Sequence, residues 1–156
     1  RPNDGDSPVS PRCSLALVSL PGARLSQLAQ TISPDVGLPV VSDSGLEAWS
    51  PRCTPAIFVL PSDVLETGSP ALVEDFRQAG NLVFFLDLPW EQSWQAVNPE
   101  KLSDPNGLPW RATYRRLAQK RREDLMAYSD YTVPTEGTLT ELAQRLLKVI
   151  AANGCS

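Results

Sequence analysis

The stretch Ser14–Ser33, SLALVSLPGARLSQLAQTIS, is where this chain carries a pattern able to do chemistry. It runs apolar, breaks at Pro21-Gly22 and becomes amphipathic, which reads as strand, tight turn and helix. Such a turn aims backbone N–H groups and the positive end of a helix at one point, so it suits an anion and above all a phosphate. A working phosphate loop needs a second glycine so that the backbone can approach the oxygens. It also needs a lysine to reach the β and γ phosphates and a Ser or Thr to hold magnesium. Across Ser19–Ser26 the chain offers Gly22 and Ser26, but Arg24 stands at the second glycine and Leu25 at the lysine. A leucine cannot stabilise transferring phosphoryl charge. Arg24 has the right charge in the wrong place, where its side chain would occupy the nucleotide's own space. Loss of one such donor typically costs about 10²- to 10³-fold in rate, and here two positions are altered.

Other chemistries have less support. With no histidine, histidine catalysis and histidine metal ligation are excluded. Cys13, Cys53 and Cys155 lack CxxC spacing and are odd in number, so neither a zinc site nor a disulfide scaffold is expected, and no metal or cofactor is implied. Serines without a histidine or a motif-placed lysine make no hydrolase triad. Glu74-Asp75 and Glu123-Asp124 are adjacent on helical segments, so their carboxylates diverge. A net charge of -4 argues against general nucleic-acid binding. At 42% hydrophobic and 21% charged residues, with no apolar run near the ~18 needed to span a bilayer, the chain reads as a soluble globular domain.

Two clusters stand apart from the loop. Arg111, Arg115, Arg116, Lys120, Arg121 and Arg122 fall within one helical segment, and Arg111, Arg115 and Arg122 share a stripe that suits an anionic ligand or an acidic partner. The plainer explanation is a solvated face paired with Glu123 and Asp124. Trp90, Trp94 and Trp110 lie at element edges, as buried packing or as anchors of a protein interface, where tryptophan is enriched.

The elements that must position these residues alternate. Leu15–Leu20 is a strand, followed by a helix with Leu25, Leu28, Ala29 and Ile32 on one face. Pro39–Ser42 gives a second strand and SGLEAW an irregular or briefly helical piece. Ala56–Leu60 gives a third strand. Ser69 as N-cap and Pro70 in the first turn open a helix that Gly80 ends. NLVFFLDL is a continuous apolar run, expected of a parallel strand covered on both faces. A helix over LPWEQSWQAV leads into NPEKLSDPNGLP, a turn-rich segment and the best candidate for a mobile loop. A long helix from Trp110 to about Tyr128 follows, with Leu117, Ala118 and Leu125 inward. DYTVPT is the last strand, and Thr138 with Glu141 forms the capping box of a helix that stops before Gly154. The alternation predicts one three-layer α/β domain over residues 13–156, with 1–12 as an extended polar tail. The echo between SPRCSLALVSLP and SPRCTPAIFVLP makes a Cys13–Cys53 disulfide sterically conceivable, though not required, if those strands are parallel neighbours.

The order of segments resembles shikimate kinase from Cys13 to Ile150. LVSLPGARLSQLAQTI sits where that family has strand, phosphate loop and first helix, and GLPVVSDSGLEAW is similar to its GLPFVDSDxxIE segment. FFLDLPWEQSWQAV looks like its VVYLDxPxExxxxR, and RREDLMAYSDYTV like its ERxPLYxxxAD. The resemblance implies a P-loop kinase-like fold with a five-stranded parallel sheet in the order 2-3-1-4-5. Against the family pattern, the paired carboxylates of DxD are reduced to Asp43, and the Gly-Gly-Gly turn becomes LPSD. The lid's Arg-Pro pair keeps Pro109 but not its arginine, although Arg111 is close by. Arg121 matches the family's substrate arginine in its spacing to Asp130, yet the family's Tyr is Leu125. These departures imply a pseudoenzyme that serves as a structural or regulatory subunit of a larger protein assembly. Kinase-like relatives without the activity serve plastid development, so the resemblance also implies an organellar, plastid setting, which a processed N-terminus starting at Arg1 would suit. The alternatives are a sensor with weak binding of a shikimate-like carboxylate or a nucleotide near Gly22, Ser26 and Arg121, and an active kinase with rearranged groups.

Overall fold

The computed structural model describes residues 13–41, 45–67, 70–97 and 110–153. The tail, Asp43, Ser69 and the segment 98–109 lie outside the described residues.

The strand runs become β1 (Leu15–Ser19), β2 (Val40–Val41), β3 (Ile57–Val59), β4 (Leu82–Asp87) and β5 (Tyr131–Pro134), and they form one sheet in the order β2-β3-β1-β4-β5. Every pairing is parallel, with Leu15 opposite both Ile57 and Leu82. Parallel neighbours require crossovers, and helices supply them. These are α1 (Leu25–Val36), α2 (Val64–Thr67), α3 (Pro70–Gln78), α4 (Trp90–Ala96), α5 (Trp110–Ala127) and α6 (Leu139–Asn153), with a short 3-10 turn at Gly45–Ala48.

The period of two along a strand explains why β1 has no polar face. Leu15 and Leu17 enter the core under α1 and α6, beside Phe84 and Leu86 of β4. Ala16 and Val18 enter the opposite core under α3 and α5, beside Val83 and Phe85. A strand buried on both sides must be apolar at every position. Phe58, Phe76, Phe84 and Phe85 are all buried to under 2% exposure, each contributing about 1.5–3 kcal/mol in transfer terms.

The amino ends of the strands are stitched by buried polar groups. The Ser14 N–H donates to Asn81 Oδ1 at 2.8 Å, Asn81 Nδ2 donates to the Phe76 carbonyl at 3.0 Å, and the Ala56 N–H donates to Ser14 Oγ at 3.1 Å. All three satisfy groups that would be costly to leave unpaired in the core. They fix the register of β1, β3 and β4 at the end of the sheet away from the phosphate-type turn.

The structure departs from the sequence reading at three places. Cys13 and Cys53 are not joined: Cys13 is disulfide-bonded while Cys53 keeps a free thiol. The register gives the reason, since Leu15 faces Ile57 and Cys53 therefore lies two residues short of the level of Cys13. Leu117 is not inward but 47% exposed, whereas Ala118 and Leu125 are buried; those two are seven apart on one stripe and Leu117 lies one step around the helix. The one-turn α2 also went unread, because LPSDVLET has no helical repeat long enough to detect.

Candidate functional site

In open α/β sheets ligands gather outside the carboxyl ends of the strands, where successive connections leave in opposite directions. Here that place is the end of β1, flanked by β3 and β4. The turn Leu20–Arg24 projects there, and three hollows adjoin it. One, of about 220 Å³, lies between the turn and the end of β3, reached by Ser26 and Ser62. A second, of about 600 Å³, lies toward the β5–α6 turn, lined by Arg24, Gln92 and Thr138. The third, of about 350 Å³, lies between the ends of β1 and β4 and helix α5, with Leu20, Trp90 and Ala118 on its apolar side and Asp87 and Arg122 on its polar side.

The turn keeps an unusual backbone. Gly22 has φ 101° and Arg24 φ 55° with ψ 46°, so both occupy the left-handed region. For glycine this is free, but for arginine it costs of order 1 kcal/mol. Arg24 therefore sits in a conformation suited to glycine, and it is the non-glycine residue with positive φ in the chain's described part. Its carbonyl accepts from the Leu28 N–H and so starts α1.

Gly22 is required for a further reason. A Cβ placed on it would overlap the Ala96 methyl, so α4 packs directly on the turn. Absence of a side chain here serves helix-to-turn contact. Leu25 is half-buried and packs on the core beneath α1 and α6. Ser26 is exposed at the first turn of α1. Ser19, at the front of the loop, is buried, and its hydroxyl donates to the Leu86 carbonyl at 2.5 Å, tying β1 to β4.

Arg121 and Arg122 on the facing helix α5 are already paired. Arg121 grips Glu66 of α2 through two parallel bonds, Nε to Oε2 at 2.7 Å and Nη2 to Oε1 at 2.8 Å. That fork is the strong geometry for a guanidinium and a carboxylate. The hydrogen bond from Arg121 holds the Glu66 carboxyl below its ordinary value and the same bond raises Arg121. Arg122 makes the equivalent fork to Asp87 at the end of β4, at 2.8 and 2.9 Å, which raises the guanidinium in turn. Asp87 is further held through its carbonyl, which accepts from the Thr135 hydroxyl at 3.2 Å.

The tryptophans lie against α5. Arg111 and Arg115 stand over the Trp90 ring, 4.6 and 5.3 Å from its centre, in reach of cation–π attraction. Trp94 lies 5.3 Å from the Tyr114 ring, and Tyr114 shares a 2.6 Å hydrogen bond with the buried Ser93 hydroxyl. Trp90 and Trp94 are both half-buried between α4 and α5. Nothing is described of the Trp110 side chain. Arg111, Arg115 and Arg122 do line the α4 side of α5, with Arg122 carrying its own counter-ion.

The β5–α6 turn is rigidly built. The Thr138 N–H donates to Glu141 Oε1 at 2.8 Å and the Glu141 N–H to Thr138 Oγ1 at 3.1 Å, the capping box read from the sequence. The backbone bond from Thr138 holds the Glu141 carboxyl below its ordinary value. Arg145 donates to the Pro134 and Glu136 carbonyls at 2.5 and 3.1 Å.

Gly22 and Arg24 of the turn and Leu25 and Ser26 at the start of α1 line one hollow, while Asp43 lies outside the described residues. Sequence reasoning missed Glu66. The pair with Arg121 spans 55 positions, and no local spacing announces such a contact. Among the described residues no group of three or more His, Cys, Asp or Glu could hold a metal ion, and no helix is long and apolar enough to cross a membrane.

No family model matches the chain, and no curated protein matches it. Solved structures do. A shikimate kinase from Acinetobacter baumannii, in complex with shikimate, superposes with a TM-score of 0.67 at 17% identity, covering 94% of this chain and 96% of its own. A shikimate kinase from Bacteroides thetaiotaomicron gives 0.65 at 11% identity, over 89% and 98%. A gluconokinase from Sinorhizobium meliloti gives 0.61 at 14% identity, over 92% and 94%. The fold is that of the P-loop kinases.

Proposed function

We propose that this chain keeps a P-loop kinase fold without phosphoryl transfer, and acts as a structural or regulatory subunit of a larger protein assembly. The observation that carries the reading is Leu25: at the position suited to a phosphate-binding lysine, an apolar side chain packs on the core. Ala96 against Gly22 supports it, since α4 fills space beside the turn. So does Arg121, whose guanidinium is already satisfied by Glu66. Phosphoryl transfer is mostly positioning and electrostatic stabilisation, and the turn supplies neither a lysine nor an open second glycine. The surface offered to partners is the seam of α4 and α5, where the exposed Arg111 and Arg115 stand over the half-buried Trp90 ring, and a plastid setting belongs to the same proposal by likeness alone.

A second reading, a ligand-sensing module, is favoured by one observation: Gly22 and Arg24 hold the left-handed backbone of an anion-binding turn even without glycine at 24. ADP release with Mg-ATP and either shikimate or gluconate separates the readings from an active kinase. The expected rate equals the protein-free background, and ADP release that depends on either acid overturns the proposal.

A further inference from the structure

We propose that the α4–α5 seam docks an acidic segment of a partner protein, with its carboxylates on Arg111 and Arg115 and an apolar side chain in the hollow beside Trp90. The inference rests on the reading of this chain as a subunit of an assembly, and it names the chemistry of the partner.

Three observations carry this. First, α5 divides into a paired and an unpaired half. Toward its carboxyl end Arg121 and Arg122 fork onto Glu66 and Asp87, and Lys120 reaches Asp124 in a single contact at 3.4 Å. Toward its amino end Arg111 and Arg115 have no carboxylate partner among the described residues; both stand over the same Trp90 ring, 4.6 and 5.3 Å from its centre. Second, this is a poor place for cations in the chain alone. Arg111 lies in the first turn of α5, which holds no acidic residue, so the positive end of the helix dipole opposes it. Arg115, four residues on, adds a like charge on the next turn. Carboxylates arriving from outside relieve both costs. Third, the seam has a seat for an apolar group. The stripe of Arg111 and Arg115 continues at helical spacing through Gln119 and Arg122, which line the hollow of about 350 Å³ whose apolar wall is Leu20, Trp90 and Ala118. Trp90 belongs to both parts, and arginine and tryptophan around a pocket are the composition of an interface hot spot. A nucleic acid fits less well, because the chain carries a net charge of -4 and Glu91 also lines the hollow, repelling a continuous phosphate backbone.

The probe is a fluorescein-labelled acidic peptide, EELEELEE, followed by anisotropy at low salt, where exposed charges are least screened. Saturable binding to the wild-type chain is expected, weakened at least about tenfold in Arg111→Ala/Arg115→Ala. Arg52→Ala/Lys148→Ala removes the same charge from exposed positions elsewhere, and should change the affinity by less than about twofold. The peptide EESEESEE keeps the charge without the apolar anchor, and should bind the wild type at least about threefold more weakly. The proposal is overturned by a wild-type chain that does not bind EELEELEE, by equal losses in the two double variants, or by equal affinity for the two peptides. Tighter binding of poly-dT overturns it in favour of a nucleic acid. Self-association in sedimentation that Arg111→Ala/Arg115→Ala abolishes overturns it in favour of a second copy of the chain. ADP release reads the absence of phosphoryl transfer separately, so either measurement can fail without the other.

Discussion

The β1–α1 turn and the α2–α5 rim differ in what each offers an anion. At the turn the backbone retains the shape, with Gly22 and Arg24 at positive φ, but at the position suited to the phosphate-binding lysine stands Leu25, half-buried against the core. At the rim the charge is present and well oriented, yet Glu66 neutralises Arg121 from within. The turn has the shape without the lysine, and the rim has the cation with its counter-ion in place. The difference also says which half is easier to reverse, because a paired arginine needs one residue removed while the turn needs at least two replaced.

The largest test bears on the turn. Gly22→Ala must place a methyl both at φ 101° and against Ala96, and is expected to cost about 3 kcal/mol from strain and overpacking together. In urea unfolding, Gly22→Ala/Ala96→Gly should recover the packing part and leave the strain. If Gly22→Ala is neutral, the turn is not held as described.

Arg24→Gly should act in the opposite direction, because it removes the cost of a left-handed arginine. A gain of about 1 kcal/mol is expected by thermal melting, reduced by the extra freedom glycine has when unfolded.

At the rim, Glu66→Gln should cost about 0.5 kcal/mol, since the carboxylate is largely solvated. Its pH dependence is more telling than its size. The Glu66 carboxyl lies below its unfolded value of 4.5 when folded, so its contribution is complete above that value and is lost as pH falls through the folded one. The stability difference between wild type and Glu66→Gln should therefore be constant near neutrality and shrink toward zero under acid. A difference that grows as pH falls would contradict the pairing. Smallest of all, Lys120→Ala should change stability by no more than about 0.3 kcal/mol, because that pair is exposed and singly bonded; a larger loss would erase the contrast drawn with Arg121.

What was legible in the sequence follows the range of the interactions involved. The continuous apolar runs at Leu15 and Leu82 gave the parallel strands, and Thr138 with Glu141 gave the start of α6, because each signal lies within a few residues. The turn was legible for the same reason, down to Arg24 in the place of a glycine. Glu66 and α2 were not, since a single helical turn carries no period and its partner is far along the chain. The misplacement of Leu117 has another cause. On a helix that buries little more than Ala118 and Leu125, the apolar stripe is too narrow to fix its own edges.

The central claim is that the turn after β1 has nothing with which to hold a triphosphate, and calorimetric titration of Mg-ATP into the wild-type chain tests it most directly. The account predicts no saturable heat up to about 1 mM nucleotide. Micromolar binding that disappears in Arg24→Ala would contradict it, because the arginine at the glycine position would then be gripping the phosphates that Leu25 cannot.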